Sequence, residues 1–257
     1  MAKQTSVLAF TVTHGARRFL PKLVPDARGT AGVWFDWLVI LSGADEEQRH
    51  HAQKLLQKPD GIQFAFAWAE NRGQHHAAKL ALEVARAQGY KWLLRIDDDI
   101  QFRTKRWLKD MLSRLEELKT LTKDREYRMV ATPFVKGLKN PIQPIGDLSK
   151  GQDFPCELLE RSGGACRLLN VAFFSAYEPW PYDPIGRGDP ESIAQYLVTN
   201  GGWTVRFPDI RVYHPTTQLE NLDDGPARHA RRMSLYWPWL GGSASRGPEL
   251  IETPERS

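Results

Sequence analysis

Three consecutive carboxylates, Asp97, Asp98 and Asp99, close the aromatic and apolar run Tyr90-Lys91-Trp92-Leu93-Leu94-Arg95-Ile96. The run reads as a buried strand. Carboxylates packed this closely repel one another, and burying them is costly unless something positive meets them. At the carboxyl end of a strand, where open α/β sheets bind their ligands, they form a set of oxygen donors suited to a hard divalent cation. The alternative is an acidic turn whose Asp side chains satisfy nearby backbone donors. The triplet alone does not separate the two.

The elements around it set the context. Val7 to Val12 predicts a first strand, ending at Thr13-His14-Gly15 with Arg17 and Arg18 beyond. Pro21, Pro25 and Gly29 mark the next segment as loop-rich. Trp34 to Leu41 predicts a second strand, Ser42-Gly43-Ala44-Asp45 a turn, and Glu46 to Gln57 a helix. Ile62 to Trp68 predicts a third strand. Asn71-Arg72-Gly73 then leads into a helix from Gln74 to Gln88, with Ala77, Leu80, Ala81, Val84 and Ala85 at helical spacing and Gly89 just past its end.

After the triplet, Thr104 is placed to cap a helix reaching Leu121, striped by Trp107, Leu108, Met111, Leu112, Leu115 and Leu118. Met129 to Thr132 predicts another strand, and Lys136 to Pro155 a long binding or lid loop. Ala165 to Phe174 follows as an apolar segment. Ser192 to Thr199 reads as a helix, and Thr204 to Phe207 and Arg211 to Tyr213 as closing strands. This alternation argues for an α/β fold with a mixed, mostly parallel sheet flanked by helices.

A chain of 257 residues, 41% hydrophobic and 26% charged, has enough apolar material for one sizeable soluble domain. With 35 basic and 31 acidic residues the net charge of +4 suits anionic ligands such as nucleotide diphosphates, but is too even to establish a nucleic-acid or membrane binder. Cys156 and Cys166 match no metal or redox spacing, which points to a reduced setting. No stretch approaches transmembrane length and the N-terminus lacks a signal-peptide layout, so a soluble, cytoplasmic protein is expected, with peripheral membrane contact open.

The succession of VTH, ENRGQHHAAKLAL and GYKWLLRIDDDI resembles the nucleotide-sugar half of a glycosyltransferase with the GT-A fold, and glycosyltransferase family 2 as a group. Asn71, Gly73, Ala77, Gly89 and the Asp triplet fit that family's order and spacing. The later stretch YDPIGRGDPESIAQYLVTNGGWTVRFPDIRVYHP resembles its acceptor half: an acidic pair opening a helix, a Gly-aromatic turn, and a strand ending in His. The resemblance covers Val7 to Pro215, and five motifs in order weigh more than any one. It implies a GT-A domain over 1–215, with a nucleotide-sugar half of about 1–132 and an acceptor half of about 133–215. Residues 216–257 would form a basic and aromatic C-terminal extension.

The resemblance also implies roles. Asp97 or Asp98 would contact the ribose or sugar. Asp99 would bind Mn2+ or Mg2+, with Asp97 a further candidate and His214 another ligand. The reaction would be metal-dependent transfer, with inversion, from a nucleotide-diphosphate sugar (UDP-sugar by default) to an acceptor hydroxyl. Inversion needs a carboxylate to take the acceptor proton. Counting back from Gly202-Trp203 favours Glu191 as this base and a one-residue slip favours Asp189, while both also suit a helix N-terminus. Thr13, Arg17, Asn71 and Lys79 are donor-side candidates; a lone Lys is as readily a solvated charge. Relatives often meet the nucleotide base with an acidic residue after the second strand, a place Asp45 would have to fill.

Arg228, Arg231 and Arg232 with Tyr236, Trp237 and Trp239 could face a phosphate backbone, an anionic membrane or a glycan, or simply pack a helix on the core. Candidate acceptors are therefore a glycan, a lipid-linked sugar, a protein or a hydroxymethylated DNA base. The competing class is another phosphate-handling enzyme, a nucleotidyltransferase or phosphohydrolase. A nucleotidyltransferase would carry a Gly-rich loop after the first strand, where VTHGARRF is poor in glycine. A dehalogenase-type hydrolase would carry its Asp motif on the first strand.

Overall fold

A computed structural model describes residues 6–14, 20–43, 45–68, 73–120, 127–137, 142–178, 189–214 and 249–250. Its first half alternates strand and helix: β1 (Val7–His14), α1 (Leu20–Ala31), β2 (Asp36–Ser42), α2 (Glu46–Leu56), β3 (Phe64–Trp68), α3 (Gly73–Ala87) and β4 (Trp92–Ile96). The two-residue β5 (Gln101–Phe102) and α4 (Trp107–Lys119) follow. Then come β6 (Met129–Lys136), β7 (Pro144–Asp147), β8 (Glu157–Leu159), β9 (Cys166–Asn170), α5 (Asp189–Thr199), β10 (Trp203–Tyr213) and β11 (Glu249–Leu250).

The strands of the described residues join one sheet in the order β11-β3-β2-β1-β4-β9-β6-β10-β8-β7, with β5 pairing β10 off that path. β1 is parallel to β2 and β4, β2 to β3, and β6 to β10. β9 enters antiparallel between β4 and β6, so the sheet runs without a break across residue 132. It is mixed, as expected.

Two apolar layers cover it. Leu20, Leu23, Val24 and Ala27 of α1, Ala52 and Leu55 of α2, and Trp107, Met111 and Leu115 of α4 fill one face. Ala77, Ala81 and Ala85 of α3 with Ile193 and Leu197 of α5 fill the other. The chain winds outward from β1 to β3, then crosses back over the opposite face through α3 to β4. The reversal falls between β1 and β4, whose carboxyl ends therefore open a crevice.

Four local expectations change. The segment Lys136 to Pro155, expected as a long loop, carries β7, which pairs antiparallel with β8. The segment with Pro21, Pro25 and Gly29 is the helix α1, not a loop. Its stripe at 20, 23, 24, 27 and 31 is buried, and that burial outweighs the amide hydrogen missing at Pro25. Thr104 does not cap α4. Its hydroxyl donates to the Arg211 carbonyl at 3.1 Å and accepts the Arg211 amide at 2.9 Å, and α4 starts three residues later behind Arg106, a left-handed residue at φ 61°. The two closing strands are one, β10, whose register against β6 shifts between Phe207 and Arg211. Thr104 holds the backbone at that irregularity.

Candidate active site

β1 ends in alternating threonines, and period two puts Thr11 and Thr13 on one face. Thr11 Oγ1 donates to the Ile96 carbonyl at 2.8 Å and accepts Trp37 Nε1 at 3.1 Å. Thr13 Oγ1 donates to Asp98 Oδ2 at 2.9 Å. Two hydroxyls one step apart thus fasten the end of β4 to the end of β1.

The three carboxylates take three directions. Asp97 continues the alternation of β4 toward the α3–α5 face, where both Nε and Nη2 of Arg95 bond its Oδ1 at 3.1 and 2.9 Å. Asp98 turns to Thr13. Asp99 Oδ1 stands 3.4 Å from His214 Nε2. Asp98 and Asp99 are buried, 4% and 6% exposed, whereas the Asp97 side chain is 26% exposed. The Asp97 amide bonds the Ala165 carbonyl at 2.8 Å, which ties the turn to β9 as well.

The meeting of Asp99 and His214 follows from strand register. β5 and β10 pair antiparallel with Gln101 opposite Tyr213. Two residues back from Gln101 and one forward from Tyr213 bring Asp99 and His214 side by side. β5 is itself held by the Phe102 amide, which bonds Asp26 Oδ2 of α1 at 3.0 Å. On the other flank the His214 amide bonds the Lys136 carbonyl at 2.9 Å. Gly137, at φ +97°, lies so close to the His214 carbonyl that a Cβ would collide with it. Only glycine suits both that dihedral and that approach.

Donors bound to one cation at about 2.1 Å and near a right angle stand roughly 3 Å apart. The 3.4 Å between Asp99 Oδ1 and His214 Nε2 is close to this, and a carboxylate with an imidazole suits Mn2+ or, with more water, Mg2+. Among the described residues no group of three His, Cys, Asp or Glu side chains forms a complete metal cage. A cation here would fill its remaining positions from water or phosphate oxygens. The residues fit a cation shared with a ligand better than a closed structural site.

The other candidates are placed less centrally. Lys79, nearly two turns into α3, pairs with Glu178 at 2.8 Å, and both side chains are at least half exposed. Asp45 caps α2, accepting the Gln48 amide at 2.8 Å while Gln48 Oε1 accepts the Asp45 amide at 3.2 Å. That carboxylate serves a capping box. α5 begins on Asp189, but the side chains of Asp189 and Glu191 lie outside the described residues, as do Arg17, Asn71 and the Arg228–Trp239 stretch. Sequence reasoning passed over Arg95, Thr11 and Gly137. A buried-strand pattern interrupted by Arg95 two residues before the triplet was the available signal for the first.

No protein-family model matches the chain, and no curated protein matches it. Solved structures do. It resembles GalNAc-T7, crystallised with UDP, GalNAc and Mn2+, at a TM-score of 0.61 and 12% identity, covering 83% of this chain and 44% of that one. The mannosyltransferase PcManGT of Pyrobaculum calidifontis, in complex with GDP-Man and Mn2+, matches at 0.58 and 13% identity over 95% of this chain and 67% of its own. TarS of S. aureus matches at 0.55 and 12% identity, over 90% and 39%. The chain thus spans less than half of the first and third. The architecture is the GT-A fold of glycosyltransferases.

Proposed function

We propose that this protein is a divalent-metal-dependent glycosyltransferase, acting with inversion, that moves a sugar from a nucleotide-diphosphate donor to an acceptor hydroxyl. The observation that carries this reading is the convergence of Asp99 and His214, 115 positions apart in sequence, at 3.4 Å on the carboxyl edge of the sheet. The place of both side chains at the carboxyl edge, where open α/β sheets bind their ligands, favours a shared cation over a plain Asp–His pair. The GT-A neighbours support it: two were solved with Mn2+ and with UDP or a GDP-sugar.

When bound, the cation, Mn2+ or Mg2+, supplies positive charge against the diphosphate leaving group. Asp99 and His214 would hold it. Asp98, immobilised by Thr13, faces the nucleotide side, and Asp97 the sugar. Glu191, in the first turn of α5, accepts the proton of the acceptor hydroxyl as that oxygen bonds the anomeric carbon and the bond to the diphosphate breaks; Asp189 is the other carboxylate of that turn. Arg17, Asn71 and Lys79 are donor-side candidates, and a UDP-sugar is the default donor. Residues 1–132 and 133–215 serve donor and acceptor, with the acceptor drawn from the glycan, lipid-linked, protein or nucleic-acid classes.

No helix among the described residues is long and apolar enough to cross a membrane. Cys156 and Cys166 are free and buried, in keeping with a reducing, cytoplasmic setting.

Calorimetric titration of UDP and GDP with Mn2+, Mg2+ or EDTA tests the reading. We expect one nucleotide to bind only with metal, and Asp99→Ala to weaken that binding at least about 100-fold, about 2.7 kcal/mol. Absence of metal-dependent nucleotide binding by the wild type would sink it.

A further inference from the structure

The α3–α5 face of the sheet is apolar until it nears the site. On β4 and β9 the antiparallel register places Leu93 opposite Leu169, and then, one step of that face further on, Arg95 opposite Arg167. Both arginines are buried, 3% and 2% exposed. Like charges directly opposite on one face destabilise a sheet, and an aliphatic pair would continue the core at less cost. A fold that keeps two guanidinium groups there has a use for them beyond packing.

For Arg95 the contacts indicate the use. Arg95 directs two donors onto a single oxygen, Asp97 Oδ1, and Asp97 is the most exposed of the triplet. Gly164 runs past the same guanidinium, where a Cβ would sit 3.8 Å from Nη2. The contacts separate the three side chains. Asp98 turns to Thr13 of β1. Asp97 belongs to the face of α5, which opens with the acidic pair.

We propose that Arg95 is a positioning residue that holds Asp97 as the acceptor for a hydroxyl of the donor's transferable sugar and keeps it out of the metal's coordination sphere. In this role Arg95 acts through Asp97. With one carboxylate oxygen fixed, the plane of the other is fixed too, and a sugar hydroxyl meets an acceptor already oriented. Losing that orientation costs sugar recognition and leaves the diphosphate contacts in place. The inference rests on the glycosyltransferase reading and adds to it a division of labour: Asp99 and His214 for the cation, Asp97 under Arg95 for the sugar.

Arg95→Met keeps the length of the side chain without the fork, and Arg95→Lys keeps charge without the two-donor geometry. Asp97→Asn probes the same contact without altering the buried strand, should the arginine variants fold poorly. Each is titrated with UDP and GDP, and with UDP-glucose, UDP-GlcNAc and GDP-mannose, in Mn2+. We expect Arg95→Met and Asp97→Asn to bind the free nucleoside diphosphate within about twofold of wild type, and the preferred nucleotide sugar at least about tenfold more weakly. Their double variant should be no worse than either alone, and Arg95→Lys should rescue only in part. Sugar affinity retained in Asp97→Asn, or equal loss of nucleotide and nucleotide-sugar affinity in that variant, overturns the assignment. Failure of the wild type to bind any nucleoside diphosphate with metal instead removes the glycosyltransferase reading and this proposal together.

Discussion

At the amino end of β4, Lys91 meets Glu116 at 3.1 Å and the Tyr127 hydroxyl at 2.8 Å, with the Lys and Glu side chains about half in water. At the carboxyl end, four to eight residues on, Arg95 and the Asp triplet are held by β1, by their own strand and by the residue after β10. The same strand carries both groups of charge, under opposite economies. The exposed cluster is screened and adaptable and contributes little to stability. The buried one is held by partners drawn from across the chain, and desolvation makes each partner expensive to lose. Charges that a fold keeps at such cost are where its chemistry is to be sought.

Perturbing each end tests that contrast. Gly137→Ala, which forces a Cβ against the His214 carbonyl at φ +97°, should destabilise the protein by about 3 kcal/mol in chemical denaturation. It should also weaken the Mn2+ response. A Gly137→Ala protein with unchanged stability would show that the carboxyl end is as yielding as the amino end. Thr13→Val removes the hydroxyl that meets buried Asp98 and should cost about 1.5–2 kcal/mol, read from the same denaturation midpoints.

His75, in the first turn of α3, adds a pH dependence. Burial first, and the neighbouring His76 second, push its pKa down from 6.5 to about 4. The folded state favours the neutral ring, so its contribution to stability is complete above pH 6.5 and is lost as the pH falls toward 4. His75→Gln should flatten the stability profile across that window, and an unchanged slope would refute the assignment. The smallest effect belongs to the amino end: Lys91→Met should shift stability by less than about 1 kcal/mol, and the shift should shrink further in high salt.

What could be read from the chain alone follows the same physics. Some local signals held. The run into the triplet predicted β4, Gly89 ended α3 at φ +72°, and Asp45 stood where a helix was expected to begin. α1 was hidden because Pro21, Pro25 and Gly29 argue for a loop one residue at a time, while the buried stripe at 20, 23, 24, 27 and 31 acts collectively. β5, β7 and β8, of two to four residues, are too short to show a period and exist through their partners. Within the site, Asp99 and His214 were legible as residue types, but their proximity depends on the pairing of β5 with β10, which no local pattern encodes. Thr104 was misread because its hydroxyl, suited to a cap, is claimed by a strand 107 residues away.

The two edges of the sheet are protected by different means. β7 begins with Pro144, which has no amide hydrogen to offer, and ends on the exposed carboxylate Asp147. β3 instead is covered by chain from near the C-terminus, with Glu249 opposite Ala67 and Leu250 opposite Phe66. Those two residues shield backbone groups that would otherwise be a template for a strand of another molecule. Glu249 and Leu250 are thus part of what keeps this edge of the sheet from recruiting a neighbour, and a variant without them would lose solubility margin before it lost any residue of the site.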